Sequence, residues 1–116
     1  MCHVLIIEDE FLIAELLASM LEANGADTTS IAVSEAQALS SARERQPDLI
    51  VSDVNLGRGG SGPDAVVRIR DELGDIPVIF VTATPRECAP FDYAAAVLDK
   101  PIQPDRFAAA LRSIGS

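Results

Sequence analysis

Short apolar runs alternate with helix-like segments along this chain, and four of the runs lead directly into polar residues. The runs are VLII before Glu8-Asp9, LIVS before Asp53, VIFVT ending on Thr82, and AAVL before Asp99-Lys100. Continuous apolar runs of this length are typical of strands buried on both faces, as in parallel sheets. We therefore predict a parallel sheet with helices packed on either side.

The segments between the runs have helical periodicity. Helices are predicted over residues 10–24, 34–45, 63–73 and 104–114. The first should bury one side made of Ile13, Leu16, Leu17, Met20 and Leu21. Ser34-Glu35-Ala36-Gln37 has the form of a capping box, and Thr28–Val33 is a short β-branched stretch that we predict to be the most exposed strand. Five strands alternating with helices indicate an α/β layered fold with right-handed crossovers.

One segment departs from this alternation. Residues 83–95 contain Pro85 and Pro90 and have no clean amphipathic stripe. Proline lacks a backbone N–H and clashes with the preceding helical turn, and it also restricts the residue before it. The helix expected here by alternation, the fourth in order, should therefore be shortened or irregular.

Composition narrows the class of protein. A chain of 116 residues with 48% hydrophobic residues is expected to fold as one domain over 1–116. The two cysteines, Cys2 and Cys88, lie far apart, which favours a reducing cytoplasm over a disulfide framework. A net charge of −9 argues against non-specific binding to nucleic acid or to an anionic membrane surface. We find neither a signal peptide nor a long apolar span in the sequence.

The polar residues at the strand ends form the candidate site. In open α/β sheets, ligands bind outside the carboxyl ends of the strands. Glu8 and Asp9 follow the first predicted strand and Asp53 follows the third, and neighbouring strands would bring these three acids together. Crowded carboxylates stay ionised only when a cation joins them, and hard oxygen ligands suit Mg²⁺. Thr82 and Lys100 add a hydroxyl and an ammonium, so the set could hold a divalent cation and a phosphoryl group.

These motifs, in this order, resemble the receiver domains of two-component response regulators, the CheY-like fold. The matching residues are Glu8-Asp9, the aspartate in Ser52-Asp53-Val54-Asn55-Leu56, Thr82-Ala83, and Lys100-Pro101. The resemblance extends over essentially the whole chain. It implies a doubly wound, flavodoxin-like sheet of five parallel strands in the order 2-1-3-4-5.

The resemblance also implies a function. Asp53 would accept a phosphoryl group from the phosphohistidine of a sensor histidine kinase or a phosphotransfer protein, in a reaction that requires Mg²⁺. The Lys100 ammonium would cover one phosphoryl oxygen, and the Thr82 hydroxyl with the Ala83 amide would cover another. Such a protein is a phosphoacceptor switch that assists its own phosphorylation and dephosphorylation, and it is not an enzyme acting on other substrates.

The implied Mg²⁺ ligands are the carboxylates of Asp9 and Asp53 and the backbone carbonyl of Asn55, with Glu8 reaching the metal through a water molecule. We further expect phosphorylation to change the face between Thr82 and Lys100 and so to control a downstream protein target. The implied protein is cytoplasmic and a monomer or weak dimer.

Several positions depart from the family pattern. Glu8 stands where Asp is more common, Gly57 where Pro is common, and Val97 where an aromatic residue often takes part in the switch. The loop 56–62 is glycine-rich but lacks the G-x-x-x-x-G-K-[ST] form of a phosphate-binding loop, so we interpret it as a flexible connection. The Lys100-Pro101 bond is predicted to be cis, as the resemblance favours.

The sequence ends just past Ile114, which fits either a stand-alone, single-domain regulator or the receiver part of a longer protein with an effector domain. Phe80-Val81-Thr82 partly resembles the Phe-Ala-Thr motif of a subgroup of stand-alone receivers used in stress signalling.

Two alternative functions stay open. The first is a pseudo-receiver, an interaction module that keeps the fold without phosphorylation; the retained acids and Lys100 speak against it. The second is a phosphohydrolase of the haloacid-dehalogenase type, which also forms an aspartyl phosphate. That class needs a D-x-D motif after its first strand. Here Asp53-Val54-Asn55 follows the third predicted strand and has Asn at the second acidic position.

Overall fold

The computed structural model describes residues 2–83 and 93–115. The strands are β1 (His3–Ile7), β2 (Thr28–Ala32), β3 (Leu49–Asp53), β4 (Val78–Thr82) and β5 (Ala96–Asp99). The helices are α1 (Phe11–Ala23), α2 (Glu35–Glu44), α3 (Gly62–Leu73) and α4 (Pro104–Gly115), with a 3₁₀ turn at Gly57–Gly59. The prediction of a shortened or irregular helix before β5 falls on residues 84–92, which lie outside the described residues.

The five strands form one parallel sheet in the order β2-β1-β3-β4-β5, as predicted. Its register aligns the carboxyl ends of the central strands. Ile7 pairs with Ser52, and Asp53 pairs with Val81. Thr82 in turn pairs with Asp99. The residues that follow these pairs therefore emerge at the same edge of the sheet.

Alternate strand residues pack into two cores, one on each face of the sheet. The face covered by α2 and α3 includes Leu5, Ile7, Ile50, Val78, Phe80, Ala38, Leu39, Val66 and Ile69. The face covered by α1 and α4 includes Val4, Ile6, Val51, Ile79, Val81, Leu17, Leu21 and Phe107. Each buried large side chain contributes roughly 1.5–3 kcal/mol. β1, β3 and β4 are buried throughout, which explains their unbroken apolar runs.

Helix α1 packs with a narrower apolar stripe than the sequence predicted. Its buried residues are Ala14, Leu17, Ala18 and Leu21. Leu16, predicted to be buried, is 47% exposed. Ala14 and Ala18 belong to the same buried cluster as Leu17 and Leu21, whereas Leu16 lies outside that cluster. Within the described ranges, no helix has the length and hydrophobicity to cross a membrane.

The helix starts follow the predicted capping pattern with one change. The Ser34 hydroxyl accepts from the Gln37 amide at 3.2 Å, as in a capping box. The Gln37 side chain, however, accepts from the amide of Val33, one residue before the cap. At α3, Ser61 accepts from the Asp64 amide at 3.1 Å. These contacts satisfy amides that the first helical turns leave unpaired.

The loop after β3, predicted to be a flexible connection, has defined backbone structure. The Leu56 amide donates to the Gly60 carbonyl at 3.1 Å, and Asn55 and Ser61 form an antiparallel bridge. The Leu56 side chain is buried. The Lys100-Pro101 peptide bond is cis, which confirms that prediction.

Candidate functional site

Three carboxylates meet at the carboxyl end of the sheet. Glu8 follows β1, Asp9 comes next, and Asp53 ends β3, and each offers an oxygen within 4.8 Å of the others. Glu8 and Asp53 are buried, whereas Asp9 is exposed. The structure thus brings together the three acids that the sequence singled out; their role in binding metal stays a prediction.

The Lys100 ammonium lies between two of these acids. Its Nζ is 3.0 Å from Glu8 Oε1 and 3.2 Å from Asp53 Oδ2. Burial lowers the pKa of Lys100, but the hydrogen bond and charge of Glu8, together with Asp53, outweigh it and raise the pKa overall. Lys100 therefore keeps its charge and neutralises part of the acidic cluster.

Glu8 is the most deeply buried acid of the cluster. Burial raises its pKa to about 7, while hydrogen bonds from the Glu10 amide and from Lys100 act in the opposite direction. The Glu10 amide donates to Glu8 Oε2 at 3.2 Å, so both carboxylate oxygens have partners. The sequence predicted a water-mediated metal contact for Glu8 and missed its ion pair with Lys100. The one available signal was the longer side chain at a position where Asp is more common.

Asp53 is held in one orientation by the backbone around it. Its Oδ1 accepts from the Val54 amide at 2.8 Å. The Ser52 hydroxyl donates to the Asp53 carbonyl at 2.8 Å. Gly62 packs directly on this carbonyl, where a side chain would collide with the backbone and with Ser52. The contribution of Ser52 and Gly62 was not predicted from the sequence.

Thr82 and Ala83 lie at the same edge, one strand further along. Thr82 is buried at the end of β4, one residue beyond the Val81 that pairs with Asp53. Its carbonyl accepts from the Lys100 amide at 2.9 Å, which ties the end of β4 to the residue after β5. Ala83 is exposed. The roles predicted for the Thr82 hydroxyl and the Ala83 amide remain predictions.

Asn55 begins a loop that turns back toward Asp9. The Asn55 side chain accepts from the Gly57 amide at 2.8 Å. Gly57 has φ of +59°, in the left-handed region that glycine adopts most easily. A methyl group added there would lie 3.6 Å from Asp9 Oδ2, so the loop backbone runs close to this acid. The Asn55 backbone carbonyl stays the predicted metal ligand.

The donor set fits a hard divalent cation. All the clustered groups are carboxylate oxygens, which Mg²⁺ and Ca²⁺ prefer. Asp9 is exposed and so leaves room for bound water molecules, which Mg²⁺ retains. With one ammonium facing two acids, the cluster of three carboxylates also has negative charge left for a cation to balance.

The chain is similar to known proteins over nearly its whole length. The phyllosphere-induced regulator PhyR of Methylorubrum extorquens is 36% identical over 112 residues, covering 94% of this chain but 42% of PhyR. The polar-differentiation response regulator DivK of Brucella abortus is 36% identical, covering 95% of this chain and 93% of DivK. The crystal structure of the anti-anti-sigma factor PhyR of Bartonella quintana matches with a TM-score of 0.83 at 35% identity, over 95% of this chain and 45% of that one.

This chain therefore spans less than half the length of the PhyR proteins and nearly all of DivK. The family model described as response regulator receiver domain matches residues 4–112. That match includes all four of the motifs at the strand ends. The chain belongs to the response regulator receiver domain family.

Proposed function

We propose that this receiver domain accepts a phosphoryl group on Asp53 from a phosphohistidine and thereby switches a surface that a partner protein binds. The observation that carries the proposal is the arrangement around Asp53. Its carboxylate ends β3 beside two further acids and 3.2 Å from the Lys100 ammonium. Such a site can bind a cation and a phosphoryl group next to the same nucleophile.

The transfer step exchanges one bond for another. An Asp53 carboxylate oxygen forms a new P–O bond while the P–N bond of the phosphohistidine breaks. The imidazole nitrogen leaves with the electron pair of that bond and is free to take up a proton. Because a carboxylate and a phosphoryl group are both anionic, the site must neutralise the oxygens as charge moves onto them. Lys100 is placed to do this from one side.

Asp9, Asp53 and the Asn55 backbone carbonyl are the groups that would hold Mg²⁺. When bound, the ion supplies positive charge that screens the phosphoryl oxygens from the carboxylates. Glu8 supports Lys100: its buried carboxylate fixes the ammonium 3.0 Å away and directs it toward Asp53. In this arrangement the main role of Glu8 is to hold Lys100, and a contact between Glu8 and the metal ion is its lesser role.

The phosphoryl oxygen opposite Lys100 would accept hydrogen bonds from the Thr82 hydroxyl and the Ala83 amide. Because Ala83 is small and exposed, a donor imidazole or a water molecule can approach. Movement of Thr82 would then be transmitted to the face between Thr82 and Lys100, since the Thr82 carbonyl is bonded to the Lys100 amide. Val97, half-buried in β5, stands where an aromatic switch residue is common, so the switch must work without an aromatic side chain there.

The partners follow from this chemistry. The phosphodonor is a histidine kinase or a phosphotransfer protein that presents a phosphohistidine, and the output is a protein that recognises the altered face. The similar proteins include an anti-anti-sigma factor, which supports a protein target for this chain as well.

Incubation with acetyl phosphate and Mg²⁺, followed by intact mass measurement, tests the proposal. We expect the mass to increase by one phosphoryl group, the label to be lost on treatment with hydroxylamine, and labelling to fail in EDTA. A chain that gains no phosphoryl group would instead support the pseudo-receiver, an interaction module of the same fold. Turnover of p-nitrophenyl phosphate would favour the phosphohydrolase, and we expect none.

A further inference from the structure

The loop that follows Asp53 rests on the start of helix α2. Glu35, in the first turn of α2, accepts from the Ser61 amide through Oε2 at 3.0 Å. The two residues are 26 positions apart, and the Glu35 side chain is only 24% exposed. This hydrogen bond therefore joins two different connections at the carboxyl end of the sheet.

Two glycines make the contact close. Gly60 has φ of +102°, and its α-carbon faces the Glu35 side chain so closely that any added methyl group would collide with it. At Gly59 an added methyl would lie 2.9 Å from the Val33 carbonyl and 3.1 Å from Ser34. Glycine is thus required at both positions for the loop to rest on the start of α2, which gives a packing reason for the glycine-rich sequence.

The same loop carries a predicted metal ligand. Ser61, whose amide Glu35 binds, pairs with Asn55 across the loop. The Leu56 amide donates to the Gly60 carbonyl at 3.1 Å and closes the loop further. A hydrogen bond that holds Ser61 in place therefore also holds the backbone of Asn55, its partner across the loop.

The second oxygen of Glu35 faces a cation on helix α3. Arg68 Nη1 is 3.9 Å from Glu35 Oε1, which orients the carboxylate and leaves Oε2 for Ser61. The Arg68 pair is largely exposed and contributes little on its own. The hydrogen bond from the Ser61 amide to the charged Glu35 carboxylate is the stronger of the two contacts.

We propose that Glu35 is a positioning residue for the metal-binding loop. Its carboxylate holds the Ser61 amide and so sets the Asn55 carbonyl at a fixed position relative to Asp9, without itself touching metal or phosphoryl group. The inference rests on the proposed function, because it assumes that Mg²⁺ binds at this end of the sheet. Residues that hold a metal ligand in place without touching the metal themselves commonly affect the affinity for the metal.

Titration of Mg²⁺ by isothermal calorimetry tests the proposal on three variants. Glu35→Ala removes the acceptor and should weaken Mg²⁺ binding by about tenfold. Glu35→Gln keeps a carbonyl oxygen for Ser61 and should bind nearly as well as the wild type. The matched control is Glu72→Ala, which breaks the 2.6 Å pair with Arg43 between the same two helices but does not touch the loop. It should leave the affinity unchanged.

Thermal melts of the same proteins separate positioning from general destabilisation. A merely structural role would lower the melting temperature of Glu35→Ala, and Glu35→Gln would not restore Mg²⁺ affinity. A positioning role predicts that Glu35→Gln restores it. Wild-type affinity in Glu35→Ala overturns the inference, as does an equal loss in Glu35→Gln or in Glu72→Ala. If the wild type binds Mg²⁺ and Glu35→Ala binds it equally well, only this inference fails. If the wild type binds no Mg²⁺, the proposed metal site fails with it.

Discussion

The two ends of the sheet handle buried polar groups in opposite ways. At the amino end, each polar group has a neutral or backbone partner of its own. At the carboxyl end, three carboxylates lie close together and one ammonium contacts two of them. Both ends are built from the same strands and come from the same apolar runs, so the contrast comes from the residues that flank those runs.

The amino end is a closed hydrogen-bond network. The His3 ring contacts Thr28 Oγ1 at 2.8 Å through Nδ1 and Ser30 Oγ at 3.1 Å through Nε2. The His3 amide donates to Asp48 at 2.8 Å, and the Cys2 amide donates to Asp27 at 2.7 Å. Such a network stabilises the start of β1 against β2 and the residue before β3.

The carboxyl end keeps an excess of negative charge that a purely structural hydrogen-bond network would not contain. Desolvation raises the pKa of Glu8 to about 7, which shows that burying an acid there costs free energy. Proteins commonly accept such a cost where a ligand is bound or a reaction occurs. Under the proposed function, the amino end serves stability and the carboxyl end serves phosphoryl and metal chemistry.

The largest expected effect compares the two ends of β3. Asp53→Asn should abolish labelling by acetyl phosphate, because the nearly isosteric amide cannot act as the nucleophile. Asp48→Asn, at the amino end, should label normally, since the amide oxygen can still accept from the His3 amide. Intact mass measurement distinguishes them, with circular dichroism as the control for folding. Persistent stoichiometric labelling of the Asp53 variant would overturn the assignment of the nucleophile.

The next prediction concerns metal binding. Asp9→Ala removes a carboxylate of the acidic cluster and should weaken Mg²⁺ binding by about tenfold or more. Asp27→Ala, the matched acid at the amino end, loses its bond to the Cys2 amide and should cost about 1 kcal/mol of stability with no effect on Mg²⁺. Calorimetric titration of both variants measures the difference. Equal Mg²⁺ affinity in wild type and Asp9→Ala would rule out the predicted ligand set.

These contrasts also show how much of the structure can be predicted from the sequence. The strand ends were predictable, because unbroken apolar runs identify strands buried on both faces. The sheet order was implied by the resemblance to receiver domains. The meeting of Glu8 with Asp53 followed from that order. The burial of Leu16 was predicted wrongly, because helical periodicity gives a face but not how much of it touches the sheet.

The specific side-chain bonds between distant residues could not be predicted in this way. Glu8 and Lys100 are 92 positions apart, and Glu35 and Ser61 are 26 apart. Both pairs depend on where side chains point after the helices have packed, which local patterns do not encode. The sequence shows the glycines of the loop after β3, but their packing against α2 is a property of the folded structure alone.

A smaller effect is expected at two glycines with positive φ. Gly57 has φ of +59° and Gly25, after α1, has φ of +103°. Alanine in such conformations costs about 1–2 kcal/mol, so both Gly→Ala variants should lower the free energy of unfolding by that amount. Only Gly57→Ala should also weaken Mg²⁺ binding, because the strained position lies beside Asp9 in the loop that carries the predicted ligand Asn55. Urea denaturation and Mg²⁺ titration test this, and equal affinity in the two variants would contradict it.

The smallest effect concerns His3, the single histidine of the chain. Burial lowers its pKa below the ordinary 6.5, the Arg45 charge acts in the same direction, and Asp48 opposes them. The unfolded chain therefore binds a proton at His3 more readily than the folded one. Stability from this group is complete above about pH 6.5 and falls as the pH drops below that value.

His3→Gln isolates this contribution. Glutamine can still bond to Thr28 or Ser30 but does not titrate, so the stability advantage of the wild type over the variant should shrink as the pH falls from about 7.5 to about 5.5. Glu8, with its pKa raised to about 7, has the opposite pH dependence: its protonation stabilises the fold as the pH falls. That contribution is present in both proteins and cancels in the difference, which urea denaturation at each pH measures. Stability curves that stay parallel across this range would mean that His3 binds protons equally well in the folded and unfolded chains, and the amino-end network would then be insensitive to its charge.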